Sequence, residues 1–135
     1  MTGLIKVVVR YADGRIFKGY TYDFFPNKAT FHLYLAGGQT SGAGTEVNIK
    51  DLKCVFFVRD FEGNPGHNEQ KQFADDGKYA GRKVEVIFKD GELMTGTTMG
   101  YTPNRPGFFL SPVDQMSNNL RVFVVSSVVA RVRYL

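Results

Sequence analysis

The feature that most constrains this 135-residue sequence is an internal repeat at an offset of 77 positions. Without a gap, residues 83–112 align with residues 6–35, and 11 of the 30 aligned positions are identical. A repeat predicts two similar structural units, which we place at 1–58 and 83–135, joined by a polar linker at 59–82. The identical positions include three motifs in each copy: Asp13-Gly14 and Asp90-Gly91, Gly19 and Gly96, and Pro26-Asn27 and Pro103-Asn104.

Each copy predicts short β-strands and no long helix. Apolar residues alternate at Val7, Val9 and Tyr11, as in a strand with one buried face. The Asp-Gly pair that follows is typical of a tight hairpin, because glycine accepts the positive φ of the turn. The glycine inside the second strand predicts a bend or bulge. With the strands after the Pro-Asn loop, each half has five predicted strands, and only the linker, around Phe73, could hold a short helix.

Five short strands with a glycine-bent second strand are typical of a small barrel. Each half resembles an SH3-like or Sm-like barrel, so the predicted fold is all-β, with two tandem five-stranded barrels. The Sm motifs for RNA are missing: the loop before the third strand has Pro26-Asn27, and the turns before the last strands read Lys50-Asp51-Leu52 and Ser126-Ser127-Val128. The family's RNA contacts therefore do not carry over.

The whole chain is also similar to a group of uncharacterised bacterial proteins. The similarity is clearest in the second half, over DGELMTGTTMGYTPNRPGFFLSPVDQMSNNLRVFVVSSVVARVRYL. It implies a bacterial origin and a tandem barrel, and brings no activity with it.

Composition excludes several classes of protein. A hydrophobic fraction of 43% excludes a disordered chain, and a single Cys excludes a disulfide scaffold and a Cys-based zinc cluster. No apolar run is long enough to cross a bilayer, and no signal peptide pattern is present, so we expect a cytoplasmic protein without membrane association. No catalytic or nucleotide-binding motif occurs and the two histidines are far apart in sequence, so we predict no enzyme, cofactor or metal site.

Two strands are apolar on both faces, around Cys54–Val58 and Val122–Val125. A half-exposed strand alternates instead, so we expect these faces to bury against the other half or a partner chain. Because Sm-type barrels join through strands four and five, a tandem chain could satisfy that contact internally or form a homo-oligomer. Arg131 and Arg133 alternate with apolar residues, which predicts an edge that faces solvent or an acidic partner.

The recurring loop of Pro, Asn and a basic residue is the first candidate site. Its two copies are Pro26-Asn27-Lys28 and Pro103-Asn104-Arg105. Such cationic tips could hold a phosphate or carboxylate, but Pro and Asn also suit an ordinary turn with a solvated basic residue. We favour the turn.

Two further groups have functional interpretations. An aromatic patch is a stacking or peptide-binding surface, or else core and interface, and both remain open. Its members are Tyr20, Tyr22, Phe24, Phe25, His32 and Tyr34. The arginines could bind nucleotides, but the RxxxR and [DN]xSxxG patterns of cyclic di-GMP-binding PilZ domains are missing, which favours a solvated basic face. They are Arg105, Arg121, Arg131 and Arg133.

The leading functional hypothesis is a non-enzymatic adaptor that binds another protein in bacterial signalling or regulation. The alternative is binding of RNA or a cyclic dinucleotide through the Pro-Asn loops and the arginines. The net charge of +4 permits this alternative without requiring it.

Overall fold

The computed structural model describes residues 4–35, 44–63, 66, 81–101, 104–114 and 117–135, so the expected short helix around Phe73 lies outside the described residues. These residues form ten strands and two short 3-10 turns. The first half contains β1 (Ile5–Tyr11), β2 (Ile16–Thr21), β3 (Thr30–Leu35), β4 (Thr45–Asn48), a 3-10 turn (Ile49–Asp51) and β5 (Leu52–Val58). The second half contains β6 (Arg82–Phe88), β7 (Leu93–Thr98), β8 (Gly107–Pro112), β9 (Asn119–Val125), a 3-10 turn (Ser126–Val128) and β10 (Val129–Tyr134).

The strands form one continuous antiparallel sheet in the order β10-β6-β7-β8-β9-β5-β1-β2-β3-β4. The all-β prediction is confirmed, but the prediction of two separate five-stranded barrels is wrong. The finding that overturns it is the ladder between β5 and β9, in which Cys54 pairs with Val124 and Val55 pairs with Phe123. The backbone groups of β5 are shared with the other half, so an open ten-stranded sheet runs across both halves.

The Asp-Gly pairs form the predicted hairpin turns. Gly14 and Gly91 have φ of 99° and 94°, a region that favours glycine. The N–H of Gly14 donates to the carbonyl of Tyr11 at 3.0 Å, and Gly91 does the same to Phe88 at 2.9 Å. The two copies therefore use the same local chemistry to reverse the chain.

The glycine inside the second strand allows a close strand approach rather than a bulge. The β1–β2 register passes through the pair Val7 and Gly19 without a shift. A Cβ at Gly19 would lie 2.5 Å from the carbonyl oxygen of Tyr34 on β3. Only glycine lets β2 and β3 approach so closely, and Gly96 is held in the same way against Ser111.

The two-faced strands bury against the opposite half, as the sequence predicts. Val55 and Phe57 of β5 belong to the first core, while Cys54 belongs to the second. From β9, Phe123 and Val125 pack into the first core, and Val122 and Val124 into the second. Each half therefore completes the hydrophobic core of the other.

The two edge strands, β4 and β10, carry polar residues at positions where the central joint, which is the ladder between β5 and β9, carries apolar ones. At the repeat offset, Cys54 and Phe56 of β5 correspond to the exposed Arg131 and Arg133 of β10. Phe123 and Val125 of β9 likewise correspond to the exposed Glu46 and Asn48 of β4. Charged edge residues discourage further strand addition, so these edges differ chemically from the central joint.

Candidate functional site

The first Pro-Asn loop is a regular turn with its basic residue on the surface. The N–H of Lys28 donates to the carbonyl of Phe25 at 3.0 Å, which places Pro26 and Asn27 at the two central positions. No described residue other than glycine has a positive φ, so Asn27 does not use the left-handed conformation. The Lys28 Nζ atom lies 4.8 Å from the centre of the Phe25 ring. The expected turn is present, and it fixes the direction of Lys28.

The two Pro-Asn loops meet at one cleft, although they belong to different halves. This cleft, which we call the loop cleft, has a volume of about 570 Å³. Its wall includes Lys28 from the first loop and Asn104 and Arg105 from the second, whereas Pro103 lies outside the described residues. The central joint between β5 and β9 thus brings together loops that are far apart in sequence.

The described residues give the loop cleft a positive charge. Lys28, Lys50 and Arg105 line it, and none of the described residues that line it is acidic. Within the described part of the chain, none of these three cations forms an ion pair. Unneutralised cations in a concave site attract anions, so the charge of this cleft is suited to an anionic ligand.

Ser126, on the 3-10 turn after β9, adds a hydroxyl to the same wall. Its Oγ atom is buried and makes no hydrogen bond to the described residues. A buried polar atom without a partner is costly, and such atoms are rare in folded proteins. A ligand oxygen in the loop cleft could accept a hydrogen bond from this hydroxyl.

A second cavity, which we call the β8 pocket, adjoins the loop cleft. It has a volume of about 690 Å³, and Arg105 lines both cavities. Its other walls include Met99 after β7, Phe109 and Ser111 on β8, and Arg121 on β9. Its lining, as far as the structure describes it, is also free of acidic residues.

Arg121 lies over aromatic rings at the border of the β8 pocket. Its guanidinium carbon is 4.2 Å from the centre of the Phe109 ring and 4.7 Å from that of Phe57. Burial lowers the pKa of this guanidinium from its usual value, although it stays charged at neutral pH. Within the described residues it has no carboxylate partner.

The structure divides the aromatic patch into separate groups. Phe24 packs in the first core, against Phe31 and Phe57 among others. Tyr22 and Tyr34 stack at the surface, with ring centres 5.6 Å apart and hydroxyls 3.0 Å apart. Tyr22 and Phe25 are exposed and Tyr34 is half-buried, so this part of the patch lies at the surface.

His32 is fixed by Asp23, a residue to which sequence reasoning gave no role of its own. Asp23 accepts hydrogen bonds from the His32 backbone N–H at 2.9 Å and from the Thr21 hydroxyl at 3.2 Å, and it lies 2.7 Å from His32 Nδ1. Burial would raise the pKa of Asp23, but these hydrogen bonds outweigh it and lower the pKa. The repeat contained a signal for a role of Asp23 in the first half alone, because Gly100 stands at the equivalent position of the second copy.

The remaining predicted residues do not join a cluster. Arg131 and Arg133 lie on the edge strand β10 and line neither cavity, and Arg133 pairs with Glu85 at 2.9 Å. Cys54 is buried, and burial raises the pKa of its thiol to about 12. Among the residues that the structure describes, no three His, Cys, Asp or Glu side chains are placed to hold a metal ion, and no helix is long and apolar enough to cross a membrane.

Sequence reasoning missed Lys50 and Ser126 as members of the loop cleft. Both lie on the 3-10 turns that follow the fourth strand of each half, where the sequence was noted only for lacking the Sm motif. At the repeat offset of 77 positions, Ser126 corresponds to Ile49, and Ser127 corresponds to Lys50. The signal in the repeat is thus a polar residue, Ser126, in place of the buried Ile49.

Comparison with known protein families gives a match over nearly the whole chain. Residues 4–135 match a family of unknown function (DUF6982), so the chain belongs to that family. No curated protein and no solved structure matches the chain.

Proposed function

We propose that this family member is a non-enzymatic binding module whose ligand carries a phosphate or a similar anion. The ligand would occupy the loop cleft. The observation that carries the proposal is the convergence of Lys28, Lys50 and Arg105 on a cleft that also holds the buried hydroxyl of Ser126, with no acidic residue among its described lining. The geometry thus favours the nucleotide-binding alternative over the adaptor hypothesis that the sequence put first.

The chemistry of these groups supports an oxyanion ligand. An arginine guanidinium can donate two parallel hydrogen bonds to a phosphate, and lysines add compact positive charges. Cavities of several hundred cubic ångströms accommodate small ligands, and the loop cleft, at about 570 Å³, is of that size. None of the described residues in its wall carries a negative charge that would repel the anion.

Calorimetric titration with inorganic pyrophosphate at low salt tests the proposal. We expect binding that weakens as salt is added, because salt screens exposed charges. Replacement of Arg105 or Lys50 by Ala should weaken binding by roughly 10-fold or more, since a hydrogen bond to a charged group contributes about 1.5–3 kcal/mol.

The matched control is Arg131→Ala, because Arg131 is exposed and lines neither cavity. It removes the same charge from the protein without touching the cleft. An absence of binding to the wild-type protein, or an equal loss in the Arg131 variant, would refute the proposal.

A second candidate function is the adaptor hypothesis, with a protein partner in bacterial signalling or regulation. Its supporting observation is the surface of Tyr22 and Phe25, which are 54% and 47% exposed. Exposed aromatic side chains are enriched in protein interfaces. The test is a pull-down with the wild type and with Tyr22→Ser, in which a stoichiometric partner should be retained by the first and lost by the second.

A further inference from the structure

We propose that the ligand of the loop cleft is a nucleotide with a single bound base. The base would enter the β8 pocket, and the phosphate would lie among Lys28, Lys50 and Arg105. The inference rests on the proposed function and adds the class of ligand.

The first step is that the two cavities are adjacent. Arg105 lines both, and the first Pro-Asn loop also contributes to both, with Pro26 in the β8 pocket and Lys28 in the loop cleft. A molecule anchored beside Arg105 can therefore extend from one cavity into the other. The ligand then has an anionic end and a second part that suits the β8 pocket.

The second step is the chemistry of the β8 pocket. Phe109 and Met99 give it apolar walls, while Ser111 and Thr97 add hydroxyls that can meet the polar edge of a base. Arg121 adds a planar guanidinium, and such groups stack on nucleobases. A flat heteroaromatic ring with polar edges matches this combination better than a sugar or an aliphatic chain does.

The third step is the contrast between the two copies. In the first half, the Tyr34 ring lies against Gly44, where an added Cβ would be 3.0 Å from the ring. In the second half, the corresponding residues are Ser111 and Arg121. The large ring of Tyr34 is thus replaced by the small side chain of Ser111, and Gly44 opposite it is replaced by Arg121.

The same contrast extends to charge and size at the neighbouring positions. Tyr22 and Asp23 in the first half correspond to Met99 and Gly100 in the second. The carboxylate that would repel a phosphorylated ligand is thus lost beside the β8 pocket. The strand framework is retained in both halves, and these substitutions give the second half alone a wall suited to an anionic ligand with a ring.

The experiment is calorimetry on the full chain at low salt, with four probes. They are inorganic pyrophosphate, the nucleoside 5′-diphosphates, the matching nucleosides and a ten-nucleotide RNA. We expect at least one nucleoside diphosphate to bind about 10-fold or more tightly than pyrophosphate, a factor typical of stacking one base on side chains. The nucleoside alone should bind more weakly than its diphosphate.

A double variant, Ser111→Tyr with Arg121→Gly, recreates the first-half arrangement in the β8 pocket. In this variant the affinity for the nucleoside diphosphate should fall to the variant's own affinity for pyrophosphate, so that the base no longer adds to binding. Arg121→Gln serves as a second variant if the first fails to fold. Tyr34→Ser, the equivalent change in the first half, is the control and should leave nucleotide binding unaltered.

The outcomes separate the two proposals. If pyrophosphate binds and no nucleotide binds more tightly, the nucleotide inference is overturned and the anion-binding function stands. If neither binds, both fail. If the RNA binds much more tightly than every nucleoside diphosphate, a single-base site is the wrong description and the inference is again overturned.

Discussion

Lys53 on β5 donates a hydrogen bond of 2.6 Å to Asp90 in the hairpin between β6 and β7. The same ammonium group bonds to Glu92 and lies 4.7 Å from the centre of the Phe88 ring. Arg10 of β1 reaches Glu92 as well, at 3.3 Å. The Lys53 side chain is only 6% exposed, so a nearly buried cation of the first half is neutralised by carboxylates of the second.

This cluster predicts how stability depends on acid. Burial raises the pKa of Glu92, but the hydrogen bonds from Lys53 and Arg10 outweigh it, so the net pKa is lowered. The hydrogen bond from Lys53 is the main cause of the lowered pKa of Asp90. Because the folded pKa values lie below the ordinary values of 4.5 and 3.8, the carboxylates stabilise the fold above those values, and this contribution is lost as the pH falls through the folded pKa values.

We therefore expect the free energy of unfolding to decrease as the pH is lowered below about 4.5, the ordinary pKa of Glu92. In Lys53→Met, the free energy of unfolding should decrease less on acidification than in the wild type, because Asp90 and Glu92 lose the hydrogen bond from Lys53 that lowers their pKa values. Urea unfolding between pH 3 and pH 7 measures both. An acid dependence that is the same in the variant as in the wild type would show that the cluster does not contribute.

The close approach at Gly19 predicts a stability loss on a small substitution. In Gly19→Ala, the added methyl would meet the backbone oxygen of Tyr34, which cannot move without disturbing β3. We expect a loss of about 1–3 kcal/mol in the free energy of unfolding, as for other overpacked sites. Gly100→Ala is the matched control, since nothing lies within 4 Å of its added Cβ, and it should change stability by less than about 0.5 kcal/mol.

The burial of Cys54 predicts an unreactive thiol. Its side chain is inaccessible, and a thiol with a pKa of about 12 carries almost no thiolate at neutral pH. Labelling with a disulfide reagent at pH 8 should be slow in the native protein and stoichiometric in urea. Since Cys54 lies at the β5–β9 joint, the slow native rate would report opening of that joint. Fast labelling of the native protein would contradict this packing.

The polar outer edges predict that apolar residues there cause association. A triple variant with Glu46→Phe, Arg131→Val and Arg133→Phe makes both edges resemble the central joint. Because the two edges differ, their contact is heterologous and gives chains or rings. Light scattering after size exclusion should show a mass that rises with concentration. Lys89→Phe, an exposed position in the β6–β7 hairpin and not on an edge strand, should keep the mass of the wild type.

The strands could be predicted because their signals are local. Apolar alternation and the Asp-Gly turns involve residues that are close in sequence, and they indicate where the strands lie. The repeat then allows the strands of one copy to be compared with those of the other. The joining of the two halves into one sheet could not be predicted, because it depends on which strand pairs with β5. The apolar run around Phe57 signals a buried second face, but nothing local distinguishes a partner in the same half from β9.

The candidate site follows the same rule. Lys28 and Arg105 were noted as loop residues, yet their convergence is a result of the joint and is invisible in either copy alone. Conversely, the aromatic patch had a clear signal in the sequence, but the β8 pocket lies beside Ser111, the small counterpart of Tyr34. The informative positions were those at which the copies differ.

The exchange of side chains between the two cores has a consequence for biosynthesis. A ribosome releases the first half well before β9, so the emerging segment lacks Phe123 and Val125 and has no ladder on one side of β5. We expect the first half to remain incompletely folded until nearly the whole chain has been made, since contacts between distant segments form late. Two copies that are similar in sequence thus mature together rather than in the order in which they are translated.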